Sequence, residues 1–130
     1  MAHPNEDTLR DLYAKFGRGD IEGFLAGCTD GVTFTVPGQA AVSGEFSKPT
    51  FGALLAPVIE RSGGTFREDV LDVFANDEHG VLLLLHSFDR DSQPRQYRTA
   101  HIIGFDDGAI ATWQEHPGSM SEFEDAWGAP

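Results

Sequence analysis

Apolar residues recur along this chain first at helical and then at strand spacing. Leu9, Leu12, Tyr13 and Phe16 stand at i, i+3, i+4 and i+7, one buried helical face, which Gly17 and Gly19 bring to an end. Asp20 is placed to cap a second, short helix with Phe24 and Leu25 facing inward. Val32, Phe34 and Val36 alternate with Thr33 and Thr35 and predict a half-buried strand stopped by Pro37-Gly38. Residues 39–47 read as a loop with a short strand around Val42. Ser47, Pro49 and the series Phe51, Leu54, Leu55, Val58, Ile59 predict a third helix closed by Gly63-Gly64. Pro57 within it lacks a backbone donor and should kink or restart it.

From Thr65 onward the pattern is that of strands, over 65–75, 79–90, 94–105 and 109–116, broken at Asn76-Asp77, Asp91-Ser92 and Asp106-Asp107-Gly108. Val81–Leu85 is apolar at every position, the pattern of a central strand covered on both faces. Met120, Phe123 and Trp127 make a short amphipathic tail helix, with Ser119 and Glu122 at capping-box spacing. Helices followed by a run of strands indicate an α+β fold. The economical arrangement is a strongly curved, mostly antiparallel sheet wrapped around three N-terminal helices. It leaves a cone-shaped cavity, closed by the first helix or the tail.

Composition supports a core and narrows the partners. A chain of 130 residues with 40% hydrophobic content and ten phenylalanines reads as one domain over 1–130. The formal charge of −12 repels phosphate backbones and anionic lipid, so neither nucleic acid nor a membrane surface is an expected partner. Cys28 is the single cysteine, which excludes an intrachain disulfide and a cysteine-based zinc cluster. Met1 to Arg10 lacks the look of a signal peptide, and no apolar run is long enough to span a bilayer, so a cytoplasmic protein is expected. Glu122, Glu124 and Asp125 read as a solvated helix face with Arg95 and Arg98 as partners, and Asp69 and Asp72 as outward. On this reading Glu115 alone of the 21 acids looks inward.

The chemistry gathers on the last two strands. One parity of strand 94–105 carries Tyr97, Thr99, His101, Ile103 and Phe105, so His101 shares a face with apolar neighbours. On the last strand Trp113 and Glu115 share a face, and Ile110, Thr112, Gln114 and His116 the other. If Asp106-Asp107-Gly108 is a three-residue loop, His101 lies opposite Trp113 and Thr99 opposite Glu115. If only Asp107-Gly108 forms the loop, His101 lies opposite Gln114.

Gly19-Asp20, the strand end Val36-Pro37-Gly38, Ser62-Gly-Gly-Thr-Phe66 and Trp113-Gln-Glu-His-Pro-Gly118 resemble the SnoaL-like polyketide cyclase branch of the NTF2-like superfamily, over residues 5–127. The resemblance favours the three-residue loop. It implies a cone-shaped α+β barrel, a homodimer joined across the sheet, a deep apolar pocket and chemistry without a cofactor. It also implies an acid/base carboxylate on the last strand and a histidine on the strand before. Glu115 and His101 stand at those positions, with Glu in place of the cyclases' Asp. The ketosteroid isomerase pattern would need its base at Val36, its tyrosine at Leu12 and its acid at His101, and none fits. The limonene epoxide hydrolase pattern would need Arg and Asp where Thr99 and His101 stand.

A carboxylate facing an apolar cavity should have a raised pKa, making it a usable base. A histidine beside it can protonate or hydrogen-bond the enolate oxygen formed when a carbon acid loses its proton. Glu115 as base and His101 as acid suit cyclisation, isomerisation or dehydration of a small hydrophobic carbonyl compound. Tyr13, Phe16, Phe34, Val36, His86, Thr99, Ile103 and Trp113 are read as the substrate pocket. The bland readings stand beside this one. A His–Glu pair can merely join two strands, Tyr13 and Trp113 can be plain packing, and His86 can be a satisfied core histidine. His3 falls in a terminus expected to fray, and His116 points away from Glu115. A metal held by His86, His101 and Glu115 is conceivable, but no metal is expected. A non-catalytic ligand-binding or dimerisation module of the same fold is the alternative.

Overall fold

Helix α1 (Pro4–Gly17) opens with a capping box in the structure, a computed structural model that describes residues 3–130. His3 Nδ1 accepts from the Asn5 N–H, and Glu6 accepts from the His3 N–H. His3 is therefore anchored rather than frayed, and its Nε2 meets Asp77 at 2.8 Å. Leu9, Leu12 and Tyr13 are buried, so the helical face read from spacing is the face that packs. Helix α2 (Ile21–Ala26) is capped as expected by Asp20, whose carboxylate accepts from the Gly23 N–H.

Strand β1 (Cys28–Val36) pairs antiparallel with β2 (Gly44–Ser47). The short strand thus lies past Val42, which sits in the preceding turn with its side chain buried. Helix α3 (Phe51–Ser62) runs through Pro57 without a break, contrary to the expected kink or restart. The carbonyl that loses its donor belongs to Ala53, which is exposed, so water can replace the missing bond.

Strands β3 (Arg67–Ala75), β4 (His79–Arg90), β5 (Gln93–Asp106) and β6 (Ala109–Pro117) complete a six-stranded sheet ordered β2-β1-β6-β5-β4-β3. Every pairing is antiparallel except β1 with β6. Helix α4 (Met120–Trp127) is capped by the Ser119 hydroxyl, which accepts from the Glu122 N–H. Its far end is pinned by arginines: Arg90 donates to the carbonyls of Asp125 and Ala126, and Arg61 to that of Trp127. Cationic donors at a helix C-terminus satisfy its orphan carbonyls and suit its dipole. Arg95 pairs with Asp125 at 3.1 Å, whereas Arg98, its expected companion, makes no such pair among the described residues.

The two faces of the sheet differ. Leu82, Leu84 and Ile103 are sealed against the helices, but Leu83 is 41% and Phe74 51% exposed on the outer side. The apolar run Val81–Leu85 is therefore covered on one face within a single chain, not on both.

Register decides what meets on the inner face, and two β-bulges set it. Asp107 and Gly108 have φ of +50° and +81°, a two-residue turn that pairs Asp106 with Ala109. Uninterrupted, that turn would put His101 opposite Gln114. One residue, Ala111, is passed over between the pairs Phe105–Ile110 and Gly104–Thr112, so His101 lies opposite Glu115 and Ile103 opposite Trp113. Neither register drawn from the sequence is correct, although the expected common face of His101 and Glu115 survives. The same bulge turns Ile110 inward with Trp113 and Glu115 instead of outward. A second bulge passes over Leu71, between Val70–Leu84 and Asp72–Leu83. It leaves Glu68 opposite the inward-facing His86. Glu115 is thus not the only acid turned toward the interior.

Candidate active site

Between α1, α3, α4 and the concave sheet lies a cavity with about 590 Å³ of empty space, its open mouth included. Phe16, Leu55, Val58 and Phe66, all half-buried, form its rim. Its floor gathers Glu68 from β3, His86 from β4, Tyr97 and His101 from β5, and Trp113 and Glu115 from β6. Tyr13 of α1 and Trp127 of α4 close the sides.

Strand pairing brings the polar groups together: Glu68 is opposite His86, His86 opposite Tyr97, and His101 opposite Glu115. Two chains of hydrogen bonds of the same chemical order result. Trp113 Nε1 donates to the Tyr13 hydroxyl at 2.9 Å, and that hydroxyl lies 2.6 Å from His101 Nδ1. Trp127 Nε1 donates to the Tyr97 hydroxyl at 2.7 Å, which lies 2.9 Å from His86 Nδ1. An indole nitrogen can only donate, so each tyrosine oxygen accepts from its tryptophan; it offers its own proton to Nδ1 of a neutral imidazole and accepts from Nδ1–H of an imidazolium. In the neutral ring that leaves the imidazole proton on Nε2.

The two Nε2 atoms then differ. His86 Nε2 bonds Glu68 Oε2 at 2.6 Å. His101 Nε2 is 3.7 Å from Glu115 Oε1, beyond a hydrogen bond, and has no partner among the described residues. Glu115 accepts from the Thr99 hydroxyl at 2.9 Å and lies 3.6 Å from His86 Nδ1.

These contacts set the charges. Burial works to raise the Glu115 pKa, but the two histidines and the Thr99 hydroxyl outweigh it and hold the carboxyl below its ordinary value. The rise expected from an apolar cavity is therefore reversed, because the cavity floor is polar. Burial works to lower His86, yet Glu68 and the Glu115 charge outweigh it and raise the imidazole. Tyr13 and Tyr97 are pushed well above the phenol range, first by burial and then by the nearby carboxylates, so both stay protonated donors. Burial pushes the Cys28 thiol up to about 11, which makes it a poor nucleophile.

A profile of the SnoaL-like domain matches residues 9–113. The chain belongs to the SnoaL-like family. Solved structures of the same fold include Bal32a from a soil-derived mobile gene cassette, with a TM-score of 0.87 at 20% identity over 95% of this chain and 96% of that one. An NTF2-like protein of unknown function from Burkholderia pseudomallei gives 0.84 at 21% identity, covering 96% and 98%. TerC, co-crystallised with polyporic acid, gives 0.84 at 20% identity, also covering 96% and 98%. At these identities the likeness is one of fold. No curated protein matches the chain in sequence.

In this SnoaL-like domain, Tyr13, Phe16, Val36, His86, His101, Trp113 and Glu115 line the cavity. Phe34, Ile103 and Thr99 do not: Phe34 and Ile103 are fully buried beneath the wall, and Thr99 is buried with its hydroxyl on Glu115. Alternation gave their side correctly but not their depth. Sequence reasoning passed over Glu68, Tyr97 and Trp127. Tyr97 shares the parity of His101, a signal that was there to read, whereas Glu68 is hidden by the bulge at Leu71.

Ligand atoms of Glu68, His86 and His101 lie within 4.8 Å of one another, a grouping that differs from the trio weighed on sequence by Glu68 in place of Glu115. To hold a divalent ion, His86 would have to release Glu68 or Tyr97, and His101 would have to shift its proton to Nδ1. The hydrogen bonds suit a proton network better than a metal centre. Among the described residues no helix is long and apolar enough to cross a membrane.

Proposed function

We propose that this SnoaL-like protein binds a small hydrophobic carbonyl compound and moves protons on it without a cofactor. His101 Nε2 is the observation that carries the reading. It is a buried donor with no partner, on the floor of a largely aromatic cavity. A carbonyl oxygen docked there would gain a hydrogen bond that strengthens as negative charge develops on it. Glu115 would take the proton from the adjacent carbon. Its lowered pKa keeps it ionised and ready to accept, and weakens it as a base toward a carbon acid. The His101 donor offsets that weakness by stabilising the enolate. The enolate can then attack a second carbonyl, regain the proton from Glu115 at another carbon, or expel a β-hydroxyl as water with the proton that Glu115 holds. Polyketide cyclase-like ring closure is the version that family membership supports.

The expected homodimer across the sheet belongs to the same reading. Leu71, Phe74 and Leu83 are exposed, and pairing two sheets would remove them from water. A cytoplasmic location is likewise part of it.

One observation favours a second reading, a non-catalytic binding module. Glu115 is already engaged by Thr99 and flanked by two imidazoles, as a purely structural carboxylate would be. Hydrogen–deuterium exchange at the activated carbon of 2-tetralone, followed by NMR, separates the two. The enzymatic reading expects exchange faster than buffer, falling by about 100-fold or more in Glu115→Gln. Binding without acceleration supports the second reading, and neither binding nor acceleration overturns both.

A further inference from the structure

Glu68 is the one carboxylate of the cavity that the proposed chemistry leaves idle. It makes a single hydrogen bond, from Oε2 to His86 Nε2, and its Oε1 has no protein partner among the described residues. One imidazole nitrogen does not satisfy a carboxylate, whose two oxygens offer about four acceptor positions. The side chain keeps 12% of its exposure and lines the cavity. Phe66 lines the same cavity, with its ring 4.9 Å from His86 and 5.7 Å from Trp127. No lysine or arginine lines the cavity among the described residues, whereas two carboxylates do.

A carboxylate with one oxygen free in an aromatic-lined cavity is a setting for a cation. An ammonium gains both the charge of the carboxylate and the negative face of the rings, more so where water is excluded. A ligand carboxylate would meet two carboxylates with one imidazolium, His86, already held between them, a lining that stays net negative and has no arginine to receive it.

We propose that Glu68 is a second anchor of the cavity, one that takes the protonated amine or other cationic group of a ligand. This rests on the reading of the cavity as a small-molecule site and extends it: the anchor comes from β3 and lies within 4.8 Å of His101, so the cationic group would neighbour the carbonyl on the ligand.

Three probes of one shape test it by calorimetry on the intact protein: 2-naphthylmethylamine, 2-naphthylmethanol and 2-naphthoate. The expected order is ammonium tightest, by roughly tenfold over the alcohol, with the carboxylate at least as far below the alcohol. Glu68→Gln keeps an acceptor for His86 and removes the charge, so it should erase the ammonium advantage and leave the alcohol affinity in place. The anchor is overturned if the carboxylate binds as well as the alcohol, or if the ammonium keeps its advantage in Glu68→Gln. Alcohol binding without an ammonium advantage overturns the anchor alone. No binding of any probe to about 5 mM overturns the small-molecule reading with it.

Discussion

The two aromatic–imidazole chains at the cavity floor share the same chemical order and end differently. Trp127, Tyr97 and His86 end on Glu68 at 2.6 Å, which closes the chain and favours an imidazolium held between Glu68 and Glu115. Trp113, Tyr13 and His101 end on a nitrogen with no partner. The difference comes from one extra carboxylate, brought opposite His86 by the edge strand β3. A tyrosine polarised by an indole can orient a histidine either to hold a charge or to await a ligand. Which of the two it does depends on whether a carboxylate completes the far side.

The largest effect should separate the two ends by turnover. Glu115→Gln or His101→Gln should lower turnover of an identified substrate by about 10²–10⁴-fold while the circular dichroism spectrum is kept. A loss below tenfold in both would mean that the unpartnered end does no chemistry. Next come the tyrosines. Tyr97→Phe and Tyr13→Phe each leave a buried indole N–H without its acceptor, at a cost of about 1–3 kcal/mol in urea unfolding. Tyr97→Phe should cost more, because Trp127 also carries the docking of α4. Equal costs would erase that asymmetry.

Stability against pH tests the closed end. Glu115, held below the ordinary 4.5, stabilises the fold fully above that value, and the contribution is lost as pH falls through the lowered one. His86, held above the ordinary 6.5, contributes fully below that value and loses its share as pH rises through the raised one. Stability should therefore be greatest between about 4.5 and 6.5 and decline on both sides. His86→Gln should flatten the alkaline decline; an unchanged alkaline slope would assign it to another group. The smallest effect lies at the β5–β6 turn. Gly108→Ala, at φ +81°, should cost about 1 kcal/mol in thermal unfolding and leave ligand binding unchanged, since the register is also held along the strands.

What could be read in the sequence was local. The Asp20 cap, the Leu9–Phe16 face, and the shared parity of Tyr97, Thr99 and His101 each follow from a few neighbouring residues and a fixed period. Bulges leave no such mark. Ala111 and Leu71 look like ordinary strand residues, and alternation counted through them assigns every later side chain to the wrong face. Alternation therefore puts Ile110 on the wrong face and gives no cue that Glu68 meets His86. A three-residue loop sets His101 and Glu115 on one face for the wrong reason: the two-residue turn and the bulge together shift the register by two from that reading, which keeps the parity. Depth was a separate problem: Phe34 and Ile103 face the right way but lie under the wall rather than in it. The charge balance also needed the folded chain, since burial alone pointed Glu115 in the wrong direction.

The bulge at Ala111 bears on how this chain can change over generations. Because β6 holds one residue more than its partner needs there, deleting a codon in that stretch straightens the strand without moving His101 away from Glu115. A deletion between Trp113 and Glu115 keeps the acid opposite His101 only by giving up the same bulge, and then turns Trp113 outward. The lineage can therefore reshape the wall beside Trp113 by losing a residue at Ala111, while the acid opposite His101 keeps its place.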